Sequence, residues 1–150
     1  MKQNKISIAV ILALILITAL AAVLHLNTRV SSAEGTLRIE AGDTVKELPL
    51  SELSLLSVQG TVVNGKGEEQ KIDAQGVALS TVLTQANIAA YTQVTVVADD
   101  EYSASVSAEE VNTDGKVFLL LTEDARPQMI VFGDPNSKRN VSSVARLVVS

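Results

Sequence analysis

The sequence predicts an α+β fold, in which short strands form mixed sheets beside a few short helices, preceded by one transmembrane helix. Three observations carry this expectation. The run from Ile6 to Leu26 is 21 residues long and holds no charged residue. Most of the chain after Gly35 breaks into short segments that alternate apolar and polar residues, the period of a strand with one buried face. One segment, Ala78 to Ala86, instead places Leu79, Val82, Leu83 and Ala86 at helical spacing. A chain of 150 residues suits a single domain behind such a run.

The N-terminal run comes first. As a helix it would be roughly 31 Å long at about 1.5 Å per residue, close to the thickness of a bilayer core. Lys2 and Lys5 precede it and the flank beyond Arg29 turns acidic at Glu34, which orients the N-terminus inward and the domain outward. The expected organisation is therefore a cytoplasmic N-terminus over 1–5, a signal anchor over 6–26, a linker over 27–35 and an extracytoplasmic module over 36–150. Ser31-Ser32-Ala33 also offers the small residues of a signal-peptidase site, so cleavage after Ala33 is the competing reading; the length of the apolar run favours the anchor. His25 sits at the membrane boundary, as an interfacial residue or a proton-sensing group.

The module reads in order. Thr36 to Ala41 is a strand, Gly42-Asp43 a turn, and Val45 to Leu48 a second strand. Pro49 opens a helical turn with Leu50, Leu53 and Leu56 on one face. Ser57 to Val63 is a strand with Val58 and Val62 on one side. Asn64-Gly65-Lys66-Gly67 marks a hairpin, because Asn and Gly tolerate the backbone of tight turns. The return strand runs from Glu69 to Ala74 and Gly76 ends it. The helix Ala78 to Ala86 follows and Asn87 stops it. Gln93 to Ala98, rich in β-branched residues, is a central strand. Asp99-Asp100-Glu101 turns the chain, and Tyr102 to Val106 returns. Ser107 and Glu110 form a capping box at a helical turn. Val117 to Leu121 is a strand buried on both faces. Glu123 to Pro127 is a turn and Gln128 to Phe132 its partner strand. Gly133 to Asn140 is a polar loop, and Val141 to Val149 closes the module, with a strand at least from Ala145 to Val149.

Composition excludes much chemistry. The chain has no cysteine, so no thiolate nucleophile, disulfide, Cys metal site or iron–sulfur cluster. Its single histidine is His25, so the 117 residues after Ala33 lack a Ser-His-Asp triad, a His-ligated zinc and a histidine general base. Those residues carry nine bases against all seventeen acids, a net charge of −8. With Tyr91, Tyr102, Phe118 and Phe132 as the only aromatics, they repel phosphate and offer little to stack on bases, so nucleic acid is excluded as a partner.

Few residues remain as site candidates. Asp99, Asp100 and Glu101 are hard oxygen ligands, but three consecutive carboxylates in a turn point apart and lack the alternate spacing of calcium loops; a solvated turn is expected and no metal. Asp43, Glu47 and Glu52 read as exposed surface rather than as an acid–base pair. Lys138 and Arg139 are the only adjacent cations of the module, suited to an anion or an acidic partner, or else to a solvated loop. Tyr102, next to the acidic turn, lines a pocket or lies half-buried on its strand. Tyr102, Lys138 and Arg139 are thus the ligand or partner candidates.

The order of segments carries a resemblance. Gly76-Val77-Ala78-Leu79 and the Ser80-Thr81-Val82-Leu83 that follows resemble a Gly-Val-Pro-Leu motif leading into a short helix. Val94 to Ser103 is similar to a strand, an Asp-Gly-Tyr turn and a return strand. Ser107 to Val111 resembles the next helical turn, Val117 to Leu121 with Gln128 to Gly133 a strand pair, and Arg139 to Val149 a closing segment with Val141, Val144 and Leu147 apolar. These are the motifs of sulfite-oxidase-type molybdopterin-binding domains, and the similarity covers most of 36–149. The family holds molybdenum through a cysteine, and the corresponding stretch here is Ser57 to Val63, with none. Its phosphate-gripping histidines and most arginines are missing, and Ala78, Glu101 and Asn140 replace its motif proline, turn glycine and closing aromatic. The resemblance therefore implies the scaffold and argues against the activity.

The function this predicts is a non-catalytic, membrane-anchored, extracytoplasmic binding module without a cofactor. Its expected partners are the membrane through residues 6–26 and an envelope protein or small ligand. The alternative is a molybdopterin-dependent oxidoreductase-like protein that binds its cofactor without a protein thiolate.

Overall fold

In the computed structural model the described residues are 8–19, 35–121 and 126–150. The chain divides into two units, Met1–Ser31 and Ser32–Ser150.

In the first unit a helix, α1, covers residues 8–19 and presents Ile8, Ile11, Leu12 and Leu16 among its exposed apolar side chains. Thr18 Oγ1 donates back to the carbonyls of Leu14 and Ile15. Twelve residues rise only about 18 Å, against the roughly 30 Å of a bilayer core. Among the described residues no helix is long and apolar enough to cross a membrane, which corrects the transmembrane helix of the expected fold. The remainder of the expected span, His25 and Ser31-Ser32-Ala33 lie outside the described residues.

Among its described residues the second unit is mostly β, with nine strands in two sheets, and this corrects the α+β class: the described residues of the chain are 46% strand and 22% helix. The strands are β1 (Thr36–Ala41), β2 (Thr44–Pro49), β3 (Leu56–Val63), β4 (Glu69–Ala78), β5 (Gln93–Ala98), β6 (Ser103–Ser107), β7 (Val117–Leu121), β8 (Gln128–Val131) and β9 (Val144–Val149). The helices are α2 (Leu79–Gln85), α3 (Ala108–Asn112) and a 3₁₀ turn at Leu50–Glu52. Each helix is a short connection between strands, so the sheets, not a helical layer, supply the architecture. One sheet has the order β2-β1-β9-β5-β6 and the other β3-β4-β7-β8. Within the first, β1 and β9 run parallel, with Ile39 opposite Leu147, while the other pairs are antiparallel.

One main core lies between them. Leu37 and Ile39 of β1, Val94 and Val96 of β5 and Leu147 of β9 meet Val77 of β4, Leu119 of β7 and Met129 of β8. Leu79, Val82, Leu83 and Ala86 enter the same core from α2 and its end. A second cluster, Val58, Val62, Leu120 and Ile130, lies apart from it. Strand β7 feeds both clusters, Leu119 to one and Leu120 to the other, because successive side chains point to opposite faces. Phe118 and Phe132 flank the second cluster in an edge-to-face pair with centroids 5.8 Å apart. Phe132 follows β8 at one edge of its sheet, yet its ring occupies the space where a Cβ on Gly60 of β3, at the other edge, would stand. The four-stranded sheet therefore curls around this cluster.

Two local expectations change. Leu56 does not join Leu50 and Leu53 on a helical face; the 3₁₀ turn spans three residues, and Leu56 starts β3 and is exposed. Gly76 does not end β4, which runs on to Ala78. A Cβ there would stand 2.8 Å from the Leu119 carbonyl oxygen, so the glycine allows β4 to pass close to β7.

Candidate functional site

The Gly133–Asn140 loop holds two of the candidate residues, and backbone and side-chain bonds fix its form. Lys138 N–H donates to Asn136 Oδ1 at 3.0 Å, and Asn140 Oδ1 accepts from Val131 N–H at 3.2 Å. Tyr102, in the chain leaving the β5–β6 turn, donates its hydroxyl to the Lys138 carbonyl. The structure thus brings Tyr102 and Lys138 together, but through a backbone oxygen. Tyr102 is 48% exposed, and the Lys138 side chain is exposed and has no ion pair among the described residues.

Arg139 faces a different task. Its Nε and Nη2 donate to Asp134 at 2.7 and 2.6 Å, and its Nη1 and Nη2 donate to Glu110 at 2.8 and 2.9 Å. The guanidinium is a fork between two carboxylates, a geometry that uses its donors on the protein itself. Glu110 is in turn the fourth member of the capping box: Ser107 Oγ accepts from Glu110 N–H, and Glu110 Oε2 accepts from Ser107 N–H. Hydrogen bonding from Arg139 outweighs partial burial and holds the Glu110 carboxyl at about 2, well below its ordinary 4.5. Asp134 foremost, then Glu110, raises Arg139 above its ordinary value. The second cation of the Lys138-Arg139 pair is thereby a clamp between the loop and α3.

The acidic turn is similarly occupied. Asp99 pairs with Arg126 at 2.7 Å, Glu101 with Arg146 at 3.1 Å, and Asp100 Oδ1 accepts from Tyr102 N–H at 3.0 Å. The three carboxylates diverge to three partners. Among the described residues no group of three or more His, Cys, Asp or Glu side chains is placed to share a metal ion. Asp43 and Glu52 lie beyond opposite ends of β2, roughly 20 Å apart by strand rise, and Glu47 projects from it exposed; the structure does not bring them together.

A site the sequence reading missed lies where β2 meets the end of α2. A cavity of about 260 Å³ is lined by Ile39, Ala41, Thr44, Lys46, Asn87, Ile88, Ala89 and Ala90. The helix ends in a Schellman motif: Asn87 has a positive φ of 57°, Ile88 N–H donates to Leu83 O and Asn87 N–H to Thr84 O. That motif folds Asn87–Ala90 back over β1 and β2. Lys46 stands opposite Ile39, on the sheet face that packs inward, and its ammonium donates to the Ala86 carbonyl. A cation is favourable at a helix C-terminus, which fixes the stem in place. The signal was present in the sequence: Lys46 shares strand parity with Leu48, which packs against the main core, whereas the apolar Val45 faces out.

The chain matches no family model, and no curated protein is similar to it.

Proposed function

We propose that this chain is a non-catalytic binding module that presents its β unit outside the cell and associates with the membrane through the uncharged run 6–26. The observation that carries the binding reading is the cavity between β2 and the end of α2: Thr44, Lys46 and Asn87 are its polar residues, beside Ile39, Ala41, Ile88, Ala89 and Ala90. Such a lining suits recognition and orientation: Lys46 is tied to the Ala86 carbonyl, and no carboxylate or imidazole lines the cavity to activate the Thr44 hydroxyl. Derivation from a sulfite-oxidase-type scaffold is supported by the order of the segments 76–83, 94–103 and 107–111. In such a relative Arg139, committed to Asp134 and Glu110, does not serve as a phosphate clamp.

The test is native mass spectrometry and elemental analysis of the full chain purified in mild detergent from a host that makes the molybdenum cofactor. A retained small molecule or partner without molybdenum supports the reading. Molybdenum near one equivalent per chain, or turnover of sulfite or a sulfoxide, overturns it. Localisation has its own check: protease added to intact cells degrades the β unit, and the full chain sediments with membranes.

A further inference from the structure

We infer that the cavity beside Lys46 is a binding site for a small carboxylate with a short apolar tail, a conclusion that rests on the binding-module reading and names its ligand. Three features specify this chemistry. The first is the cation. Lys46 points inward from an edge strand, where its parity neighbour is Leu48, and its ammonium is tethered to the Ala86 carbonyl. An ammonium has three donors, and among the described residues that carbonyl is its single acceptor, so two donors are available to a ligand. The second is the field around the cation. The Leu83 and Thr84 carbonyls are used by the Schellman bonds to Ile88 and Asn87 and the Ala86 carbonyl by Lys46, and no residue of α2 lines the cavity. No carboxylate lines the cavity, although the β unit as a whole is acidic. The third is shape. Ile39, Ala41, Ile88, Ala89 and Ala90 supply apolar walls, and about 260 Å³ lies just under the roughly 300–1,000 Å³ of drug-sized pockets. Thr44 and Asn87 stand on the same lining as secondary hydrogen-bonding groups. A carboxylate answers the ammonium through a charge-assisted hydrogen bond in a partly desolvated place, and a short alkyl tail answers the walls.

An inward lysine on an edge strand also discourages the strand from pairing with another chain. That role requires only the charge on the edge; it requires no selectivity for a ligand, and the two roles separate by titration. The full chain, isotopically labelled in detergent solution, is titrated with butyrate, and in parallel with butylamine and with n-butanol, while backbone amide resonances are followed. Butyrate is expected to shift the amides of Ile39, Lys46, Asn87 and Ile88 saturably, with butylamine and butanol leaving them unsaturated. Lys46→Met, which keeps the stem and removes the charge, is expected to weaken butyrate binding by about tenfold or more. Ala41→Leu, which keeps the charge and fills the cavity, is expected to do the same, and it decides the matter should Lys46→Met fail to fold. Absence of a saturable butyrate response at these amides overturns the site, as does an equal response to butylamine or an unchanged affinity in either folded variant. Such a failure, with another molecule still retained in the native mass spectrum, removes the carboxylate site and leaves the binding-module reading standing; molybdenum or turnover removes that reading instead.

Discussion

Glu110 has three attachments: to the start of its own helix, to Arg139 in a loop 29 residues further on, and to Lys116 at 3.6 Å. Its carboxyl is held at about 2 against an ordinary 4.5, so its contribution to stability is full above pH 4.5 and is lost as pH falls toward 2. The full shift corresponds to about 3 kcal/mol, and partial solvent access trims it. Glu110→Gln is therefore expected to lose about 1–3 kcal/mol at pH 7, measured by urea unfolding, and the gap to the unmodified protein is expected to narrow as pH falls from 4.5 to 2. A gap that stays constant over that range refutes the assignment. The capping box was legible from Ser107 and Glu110 alone, because it depends on four consecutive residues. The partner of Arg139 was not, because a cation next to Lys138 looks like half of an anion site until Asp134 and Glu110 are placed against it. Gly76 belongs to the same scale: Gly76→Ala is expected to destabilise by about 1–3 kcal/mol in the same assay, since the new Cβ meets the Leu119 carbonyl rather than a yielding side chain.

Among the elements, α2 was visible almost whole: Leu79, Val82, Leu83 and Ala86 are all buried, as their spacing requires, and Asn87 terminates the helix in a left-handed conformation. Leu83→Ala should lower stability by about 2–5 kcal/mol in a denaturant titration, because the side chain is 1% exposed within the main core. A loss under about 0.5 kcal/mol, typical of surface positions, would remove the helix from the core. Strands β1, β5 and β7 are equally readable, β1 from alternation, β5 from β-branched content and β7 from a continuous apolar run. The fate of Leu56 was not, because a three-residue spacing suits a helical face and gives no warning that the chain extends after Leu53. The cavity escaped for a related reason. Its walls come from β1, β2 and the segment after α2; the parity of Lys46 marks an inward cation on β2, but nothing local sets Asn87–Ala90 beside it.

For the whole molecule, the α+β class expected from the sequence differs from the fold because local patterns show that helices exist but not whether they form a layer. The expected short helices are there, but they connect strands of two sheets and form no layer. Pairing order is a long-range property: β9 joins β1 in parallel and β5 antiparallel, and neither register can be read from strand content. Strand β9 supplies Leu147 to the core and stands between β1–β2 and β5–β6 in the sheet. Truncation after Asn140 is expected to abolish cooperative unfolding and the near-ultraviolet circular dichroism signal. Retention of a cooperative transition would show that the two hairpins find another arrangement. With no disulfide to lose, the intact protein is expected to show the same melting temperature with and without reductant, measured by differential scanning calorimetry.

The position of β9 also sets the order of events during synthesis. The two halves of the five-stranded sheet emerge from the ribosome early, as separate ribbons, and two-stranded ribbons are marginal in water. They must wait for Val144–Val149 before they can unite, so closure spans more than a hundred residues of chain. Folding of the β unit is thereby a late and slow event. The chain therefore stays pliable until the segment that locks it has been made.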